Sequence, residues 1–380
     1  MRLLVVTQDF PPDVGGIQTY SWELARRLSV KASALEVLAP ARPAAAAVDR
    51  AAPFPVTRVP GRPDLLPLTG LPAVCRRARA LRPDRALHAQ WQTVGLSLLA
   101  RRLTGWPRRI VCAAHGRELL FNPAAAVPGL RAAYDALRRG LLRRVDTFVP
   151  VSHYTARLLH DRDVSPERTH VVSNGTDPDR FSPQDATALR QDLGLSGRPL
   201  LLTVGRLVPR KGIDTVLRAL PDVIEALPDL MYLVVGTGPD RARLERLSAD
   251  LGLQAHVRFC GEVPHDALPR YYSAADLFVM PAREDPPDVE GFGLVFLEAN
   301  ACGTPVVGAR TGGIPDAIRD GETGLLVPPG RPAALAEAVL HVLTQPGVAA
   351  ALGRQGRHHA VHEANWTHVA DRMYTVLAHE

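Results

Sequence analysis

The sequence lacks the features of a membrane-spanning, disulfide-stabilised or zinc-binding protein. No window approaches the roughly 18 consecutive apolar residues of a transmembrane helix. The four cysteines are scattered, without the spacing of a metal or redox site. The first residues lead directly into an apolar strand-like run and do not resemble a secretory signal peptide. We therefore expect a globular, cytoplasmic protein with reduced thiols.

Lysine is nearly absent, because Lys31 and Lys211 are the only two in 380 residues, whereas arginine is abundant. The net charge of +6 is unevenly spread: residues 1–180 hold 27 Lys and Arg against 15 Asp and Glu, which gives +12, and the remainder carries −6. This asymmetry favours an anionic partner for the N-terminal half, such as a membrane surface, a phospholipid or nucleic acid. The alternative is an arginine-rich composition on solvated helix faces.

Short apolar runs alternate with helical patterns along the whole chain, from Leu3–Val6 to Val306–Ala309. This alternation predicts an α/β protein with parallel sheets. A polar segment with a short helix, residues 178–198, separates two similar series and is interpreted as the linker. We predict two doubly wound, Rossmann-like domains facing across a cleft, with residues 1–180 and 181–362 as their extents. Residues 41–67 are expected to be loop with one strand, Val56–Val59.

Two glutamates, Glu290 and Glu298, follow an apolar strand in the second half and stand eight residues apart. On one helix they would be separated by about 12 Å along the axis. Glycosidases place their carboxyl groups roughly 5–5.5 Å or 6.5–9.5 Å apart, so a hydrolytic pair is disfavoured. The sequence Gly291-Phe292-Gly293 favours Glu290 in a loop and Glu298 inside the following helical run, Leu294–Ala301, each contacting a different part of one elongated ligand. The alternative is a helix-capping carboxylate and an exposed helix glutamate.

Other candidate contacts also follow predicted strands. Arg206 and Lys211 are two cations in a glycine-bounded loop that leads into a predicted helix, Asp214–Leu220. Two cations in such a loop suit a diphosphate, although the Walker spacing is missing. Gly15 and Gly16 open the first helix and are expected to form an anion-binding nest, although the dinucleotide fingerprint is not met. The alternatives are a solvated basic turn and a tight strand–helix turn.

His115 stands at the end of a strand in the basic half, where the alternative is a polar filler. Gly261-Glu262-Val263 follows another strand and could present backbone groups to a planar base. Because loops that follow parallel strands share one sheet edge, we expect a ligand with a diphosphate, a base and a polyol at the domain interface.

These motifs together resemble the family-4 retaining glycosyltransferases, which have the GT-B fold, and the resemblance covers nearly the whole chain. The motifs that carry it are GGIQTY (15–20), HGRE (115–118), GRLVPRKG (205–212), VGTGPDRARLE (235–245), FCGEV (259–263), EGFGLVFLEANACGTPVV (290–307), GGIPD (312–316) and DGETGLLV (320–327). The sequence is most similar to the phosphatidylinositol mannosyltransferase-like branch. The resemblance also implies that residues 363–380 form a helix crossing back to the N-terminal domain.

The resemblance implies four catalytic side chains, His115, Arg206, Lys211 and Glu290. It implies donor contacts from a larger set: Gly15, Gly16, Arg206, Lys211, Val263, Glu290, Phe292, Gly293, Leu294 and Glu298. In this scheme Glu290 holds sugar hydroxyls, Glu298 holds the ribose and His115 lies near the reacting bond. Arg206 and Lys211 neutralise the diphosphate, so neither a divalent metal nor a cofactor is expected. Asp161 and Asp163 form a D-x-D pattern in a predicted helix-end turn and are discounted.

The resemblance implies a retaining hexosyltransferase that uses a nucleotide diphosphate sugar, with GDP-mannose favoured. The acceptor is expected to be a lipid, a cell-envelope glycan or a small polyol, and not nucleic acid. Front-face attack is favoured over a covalent intermediate, because no carboxylate is placed as a nucleophile. The charge asymmetry favours a peripheral position on the inner face of the plasma membrane. The alternatives are a UDP-sugar transferase with a soluble acceptor and a non-catalytic protein that binds anionic lipid or nucleotide sugar.

Overall fold

The structure is a computed structural model and describes residues 1–379. It divides into two compact units. The first comprises Met1–Asn174 together with the C-terminal helix, and the second comprises Gly175–Asn365. Each unit is built on one six-stranded sheet in which every pair of neighbouring strands is parallel, which confirms the predicted α/β class.

The first unit has the strand order β3-β2-β1-β4-β5-β6, so the order reverses between β1 and β4. Its strands are β1 Arg2–Val6, β2 Ala34–Pro40, β3 Val56–Val59, β4 Arg85–His88, β5 Arg109–Ala114 and β6 Thr147–Pro150. Its helices within residues 1–174 are α1 Gly16–Lys31, α2 Ala45–Ala51, α3 Leu66–Thr69, α4 Leu71–Leu81, α5 Val94–Thr104, α6 Arg117–Leu120, α7 Pro128–Leu142 and α8 His153–His160.

The second unit repeats this architecture with the order β12-β11-β10-β7-β8-β9, which reverses between β7 and β10. Its strands are β7 Leu200–Val204, β8 Met231–Val235, β9 Val257–Gly261, β10 Leu277–Met280, β11 Val306–Ala309 and β12 Leu325–Val327. The remaining helices are α9 Thr187–Asp192, α10 Ile213–Ala226, α11 Arg241–Asp250, α12 Leu268–Ala274, α13 Leu294–Ala301, α14 Ile314–Ala317, α15 Pro332–Leu343, α16 Pro346–His362 and the C-terminal helix α17 Trp366–His379.

The cores follow from the apolar spacing along each helix. In α4, Val74, Ala78 and Leu81 recur at helical spacing and are buried in one cluster with Leu4 of β1. Helix α17 belongs to the first unit because Trp366 lies 6.1 Å from the Tyr20 ring of α1, measured between ring centroids. This packing explains why the last helix, which follows the second unit in sequence, is part of the first.

Helix α15 is a core helix of the second unit, since Leu335 and Val339 are buried among the residues of its sheet. No single helix within residues 1–379 has the length and apolar composition to cross a membrane. Helices α15 and α16 have this length and composition only when taken together, and the chain bends by 93° between them.

Two expectations about local structure are corrected, and one strand was not predicted. Residues 41–67 hold a helix, α2, in addition to the expected strand, because consecutive alanines favour helix without an apolar stripe. Helix α10 continues through Pro221 to Ala226, whereas the sequence analysis ended it before that proline. Strand β12 has only three residues, which is too short for a recognisable pattern.

Candidate active site

The central feature of the second unit lies where the strand order reverses, after the neighbouring strands β7 and β10. Residues 205–212 follow β7 and include a 3-10 turn, Pro209–Lys211. The segment after β10 runs through Glu290 to the start of α13. Ligands of open α/β sheets bind in the crevice at such a reversal, so the structure brings these two loops to the expected place within this unit.

Glu290 is held by two cations. The Nζ of Lys211 donates to its Oε2 at 2.7 Å, and Nη1 of Arg210 donates to the same oxygen. Burial raises the pKa of Glu290, but the attraction of Lys211 and Arg210 outweighs burial and brings the pKa to about 2. The carboxylate is therefore ionised at neutral pH, with both recorded hydrogen bonds on one oxygen.

Close backbone approaches keep these loops together. Gly212 adopts φ +70°, and a Cβ there would lie 2.0 Å from the carbonyl oxygen of Pro281, which follows β10. A Cβ at Gly312 would similarly overlap the carbonyl oxygen of Glu290. That oxygen also accepts a hydrogen bond from the N–H of Gly313 at 2.9 Å. Only glycine fits at these two contacts, so the loop glycines set the position of Lys211 and Glu290.

Helix α13 begins at Leu294, and Gly293 precedes it without a side-chain cap. The Phe292 side chain is buried, which anchors the approach to the helix. First-turn N–H groups without a capping side chain can bind an anion at the positive end of the helix dipole. The sequence analysis predicted the bounds of α13 correctly, and Glu290 lies in the loop before it as expected.

Glu298 lies one turn inside α13 and accepts a hydrogen bond from Tyr272 Oη to its Oε2 at 2.8 Å. Burial raises the pKa of Glu298, and the hydrogen bond from Tyr272 offsets only part of this increase. Tyr272 was not among the predicted site residues; it lies in the segment YYSAAD (271–276), between the motifs that carry the family resemblance.

Arg206 and Arg210 differ from expectation. Arg206 is exposed and makes no hydrogen bond or ion pair with any residue that the structure describes. Arg210, which the sequence analysis did not single out, makes the ion pair with Glu290. The available signal was its position directly before Lys211. Val263 follows β9 and lines a small cavity of the second unit together with Tyr271.

In the first unit, His115 follows β5 and its ring packs edge-on against Tyr20, with 4.7 Å between ring centroids. Its Nε2 is buried without a hydrogen-bond partner among the described residues. Burial lowers the pKa of His115 to about 4, so the imidazole is neutral at neutral pH. Glu118 fixes this turn, because its Oε1 accepts the backbone N–H groups of His115 at 2.6 Å and Gly116 at 3.3 Å.

The expected glycine nest at Gly15 and Gly16 is not formed. Gly15 is extended, with φ 163° and ψ 172°, and Gly16 is the first residue of α1. A nest needs successive residues of opposite helical hand, which this conformation does not provide. What remains at these glycines is the start of a 16-residue helix without a side-chain cap.

No group of three or more His, Cys, Asp or Glu side chains within residues 1–379 is arranged to hold a metal ion. Independence from a divalent metal stays a prediction. The D-x-D residues Asp161 and Asp163 follow the end of α8, where Asp163 pairs with Arg143 at 3.3 Å.

Comparison with known proteins decides the family. Residues 14–180 match the model of glycosyltransferase family 4, and residues 185–359 match that of glycosyl transferases group 1. A GDP-mannose-dependent alpha-(1-6)-phosphatidylinositol monomannoside mannosyltransferase of Mycolicibacterium smegmatis is 38% identical over 99% of this chain and 98% of its own length. The chain belongs to glycosyltransferase family 4.

As a family-4 glycosyltransferase, the protein is an enzyme of the retaining type. A second relative, a D-inositol 3-phosphate glycosyltransferase of Rhodococcus jostii, is 33% identical over 95% of this chain and 84% of its own length. The structure of Anabaena Alr3699/HepE, solved in complex with UDP, matches with a TM-score of 0.83 over 100% of both chains at 22% identity. This likeness confirms the GT-B fold expected for the family-4 enzyme.

Proposed function

We propose that this family-4 glycosyltransferase transfers a mannosyl group from GDP-mannose to a hydroxyl group of a lipid whose headgroup contains inositol. The full-length likeness to the M. smegmatis enzyme, which is named for these substrates, carries the proposal. The relative from R. jostii favours a second candidate, transfer to a soluble inositol phosphate. The two candidates differ in the acceptor, so a direct assay can separate them.

Cations and helix amides are proposed to hold the donor diphosphate. Arg206 is exposed and without a partner in the described chain, and Lys211 has three N–H donors of which Glu290 occupies one. Both can therefore bind phosphate oxygens and stabilise the leaving group as negative charge develops. The backbone N–H groups of Phe292, Gly293 and Leu294 are proposed to bind the sugar and the distal phosphate.

Carboxylates are proposed to hold the polyol parts of the donor. Glu290 has Oε1 available to accept hydrogen bonds from sugar hydroxyls, because its two cations share Oε2. Glu298 is proposed to bind the ribose, and the backbone of Val263 to bind the base. Gly15 and Gly16 are proposed to contact the phosphate through the backbone at the start of α1.

The proposed reaction is a front-face substitution. The acceptor oxygen forms a bond to the anomeric carbon on the face from which the phosphate oxygen departs, and the acceptor proton passes to that phosphate oxygen. His115 is proposed to contact the donor sugar as a neutral imidazole, since burial holds its pKa at about 4. The cations supply the electrostatic stabilisation that a divalent metal supplies in other transferases.

A transfer assay followed by mass spectrometry tests the proposal. Purified enzyme is incubated with GDP-mannose, UDP-glucose or UDP-N-acetylglucosamine, each with phosphatidylinositol monomannoside or inositol 3-phosphate. We expect a product from GDP-mannose and the lipid, and its loss in Glu290→Gln and Lys211→Ala. A product formed only with inositol 3-phosphate as acceptor would replace the proposal with the second candidate. Full transfer by both variants would contradict the proposed site.

We further propose that the first unit binds an anionic membrane surface on the cytoplasmic side. The large apolar side chains that are exposed in the described chain all lie between Val14 and Leu137, in the basic half. On α7, Leu130 is 60% exposed and Leu137 is 57% exposed, and their spacing of seven residues places them on one face. Exposed Arg131 and Arg139 accompany them, which suits a helix lying at an anionic interface.

Flotation with liposomes tests this part of the proposal. We expect wild-type protein to float with vesicles containing phosphatidylglycerol at low salt, and much less with pure phosphatidylcholine. The double variant Leu130→Glu, Leu137→Glu should lose flotation. Val30→Glu is a matched control, because Val30 is 87% exposed at the end of α1. Flotation that is equal for all three proteins would contradict the role of α7.

A further inference from the structure

Two cations hold one carboxylate at Glu290, although a single cation would neutralise its charge. Lys211 and Arg210 both donate to Oε2, and all three side chains are largely buried, with 9% of Lys211, 22% of Arg210 and 13% of Glu290 exposed. The group therefore carries a net charge of +1. Without Arg210 the remaining pair would be neutral, and Lys211 would be the sole partner of Glu290.

The backbone of Arg210 is fastened to the loop that follows β10. Its carbonyl oxygen accepts the N–H of Arg283 at 2.8 Å, and the guanidinium of Arg283 donates to Asp214 Oδ1 at 2.8 Å. Asp214 is in the first turn of α10. These contacts link the 3-10 turn, α10 and the loop, and they hold the backbone of Arg210 in place next to Glu290.

We propose that Arg210 is a positioning residue that holds Glu290 by Oε2, which leaves Lys211 with uncompensated charge for the donor diphosphate and leaves Oε1 of Glu290 to bind the donor sugar. The inference rests on the proposed function, because it assumes that a nucleotide diphosphate sugar binds here. Arg210 itself contacts no substrate in this arrangement. Its loss should therefore act in two ways. The lost charge weakens the binding of both GDP and GDP-mannose, and the less well held Glu290 lowers the affinity that the sugar adds to that of the nucleotide.

Calorimetric titrations with GDP and with GDP-mannose separate this role from a direct phosphate contact. The quantity compared is the Kd for GDP divided by the Kd for GDP-mannose. In Arg210→Gln we expect this ratio to fall about tenfold, the typical worth of one hydrogen bond between charged groups. Arg206→Gln removes the same charge from the same loop. We expect it to weaken the binding of GDP and of GDP-mannose by the same factor, which leaves the ratio unchanged.

Two further measurements distinguish positioning from general damage. In a Glu290→Gln background, Arg210→Gln should no longer change the ratio. With one cation removed, the pKa of Glu290 should rise, so the acid limb of the pH profile of kcat/KM should move to higher pH in Arg210→Gln. Arg210→Lys keeps the positive charge and is expected to retain most of the ratio. Arg210→Lys also tests the proposal if the glutamine variant fails to fold.

The outcomes separate this inference from the proposed function. If folded wild-type protein binds none of the four ligands GDP, GDP-mannose, UDP and UDP-glucose, the proposed function and the role of Arg210 both fail. If the wild type binds only the UDP pair, the same ratio is measured with that pair. If the wild type binds and the ratio is equal in Arg210→Gln and Arg206→Gln, Arg210 is not a positioning residue. A ratio in Arg210→Lys as low as in Arg210→Gln would also overturn the inference.

Discussion

The substitution Gly212→Ala should damage both the stability and the donor site of the second unit. Gly212 separates the Lys211 turn from α10 and adopts φ +70°. An alanine Cβ there would lie 2.0 Å from the Pro281 carbonyl oxygen and 2.8 Å from its carbon. Because real Cβ contacts are not shorter than 3.0 Å, the turn and the end of β10 must separate by about 1 Å.

A second glycine of this unit provides the control. Gly252 has φ +68°, almost the same conformation, but a Cβ there would meet no atom within 4 Å. Both alanine variants should lose about 1–2 kcal/mol from left-handed backbone strain. Gly212→Ala should lose about 2 kcal/mol more from the overlap. For a unit of this size, the extra loss corresponds to a melting temperature roughly 4–8 °C below that of Gly252→Ala.

The turnover of GDP-mannose should fall together with the stability. A shift of about 1 Å at Lys211 would disturb its hydrogen bond to Glu290, and misplacements of this size can cost about 100-fold in activity. Differential scanning calorimetry and GDP-mannose turnover measure the two effects. If Gly212→Ala melts within 1 °C, roughly 0.5 kcal/mol, of Gly252→Ala and keeps its turnover, the close approach to Pro281 does not constrain the site.

Three more predictions concern single side chains. The pKa of Glu290 is lowered from 4.5 to about 2, so the ionised carboxylate contributes on the order of 3 kcal/mol to the free energy of unfolding. This contribution should be present above pH 4.5 and lost as the pH falls toward 2. Urea unfolding across this range should show the loss in wild type and not in Glu290→Gln. His115, with a pKa lowered from 6.5 to about 4, should stay neutral down to about pH 5 in an NMR titration of the folded protein. Because His115 of the unfolded chain takes up a proton below pH 6.5, the stability of the fold should fall progressively from pH 6.5 to pH 4. A signal that titrates near 6.5 and disappears in His115→Gln would contradict this. Tyr272→Phe removes the hydrogen bond to Glu298 and should cost about 1 kcal/mol of stability. It should also reduce the preference of the enzyme for GDP over the deoxyribose analogue of GDP. An unchanged preference would argue against Glu298 as the ribose contact.

The proposed donor-binding loops show which structural features can be predicted from neighbouring residues in the sequence. The bounds of α13, the loop position of Glu290 and the strand before it were predicted correctly, because an apolar run, paired glycines and a helical run follow one another directly in the sequence. Family motifs then indicated which loops share a function. Helix α2 was missed because its alanines lack an apolar periodicity, and only Ala45 is buried.

The sequence by itself determined the α/β class, the two strand–helix series and the membership in a family of retaining glycosyltransferases, since each depends on neighbouring residues or on motifs in order. Only the tertiary structure decided which arginine meets Glu290. Arg206 and Arg210 occupy the same short loop, yet Arg210 pairs with a carboxylate 80 positions away and Arg206 stays exposed. Close backbone contacts, such as that of Gly212 with Pro281, decide which segment packs against the 3-10 turn. They therefore also decide which carboxylate a side chain of that turn can reach. Such contacts join distant segments and leave no periodic signal in the sequence.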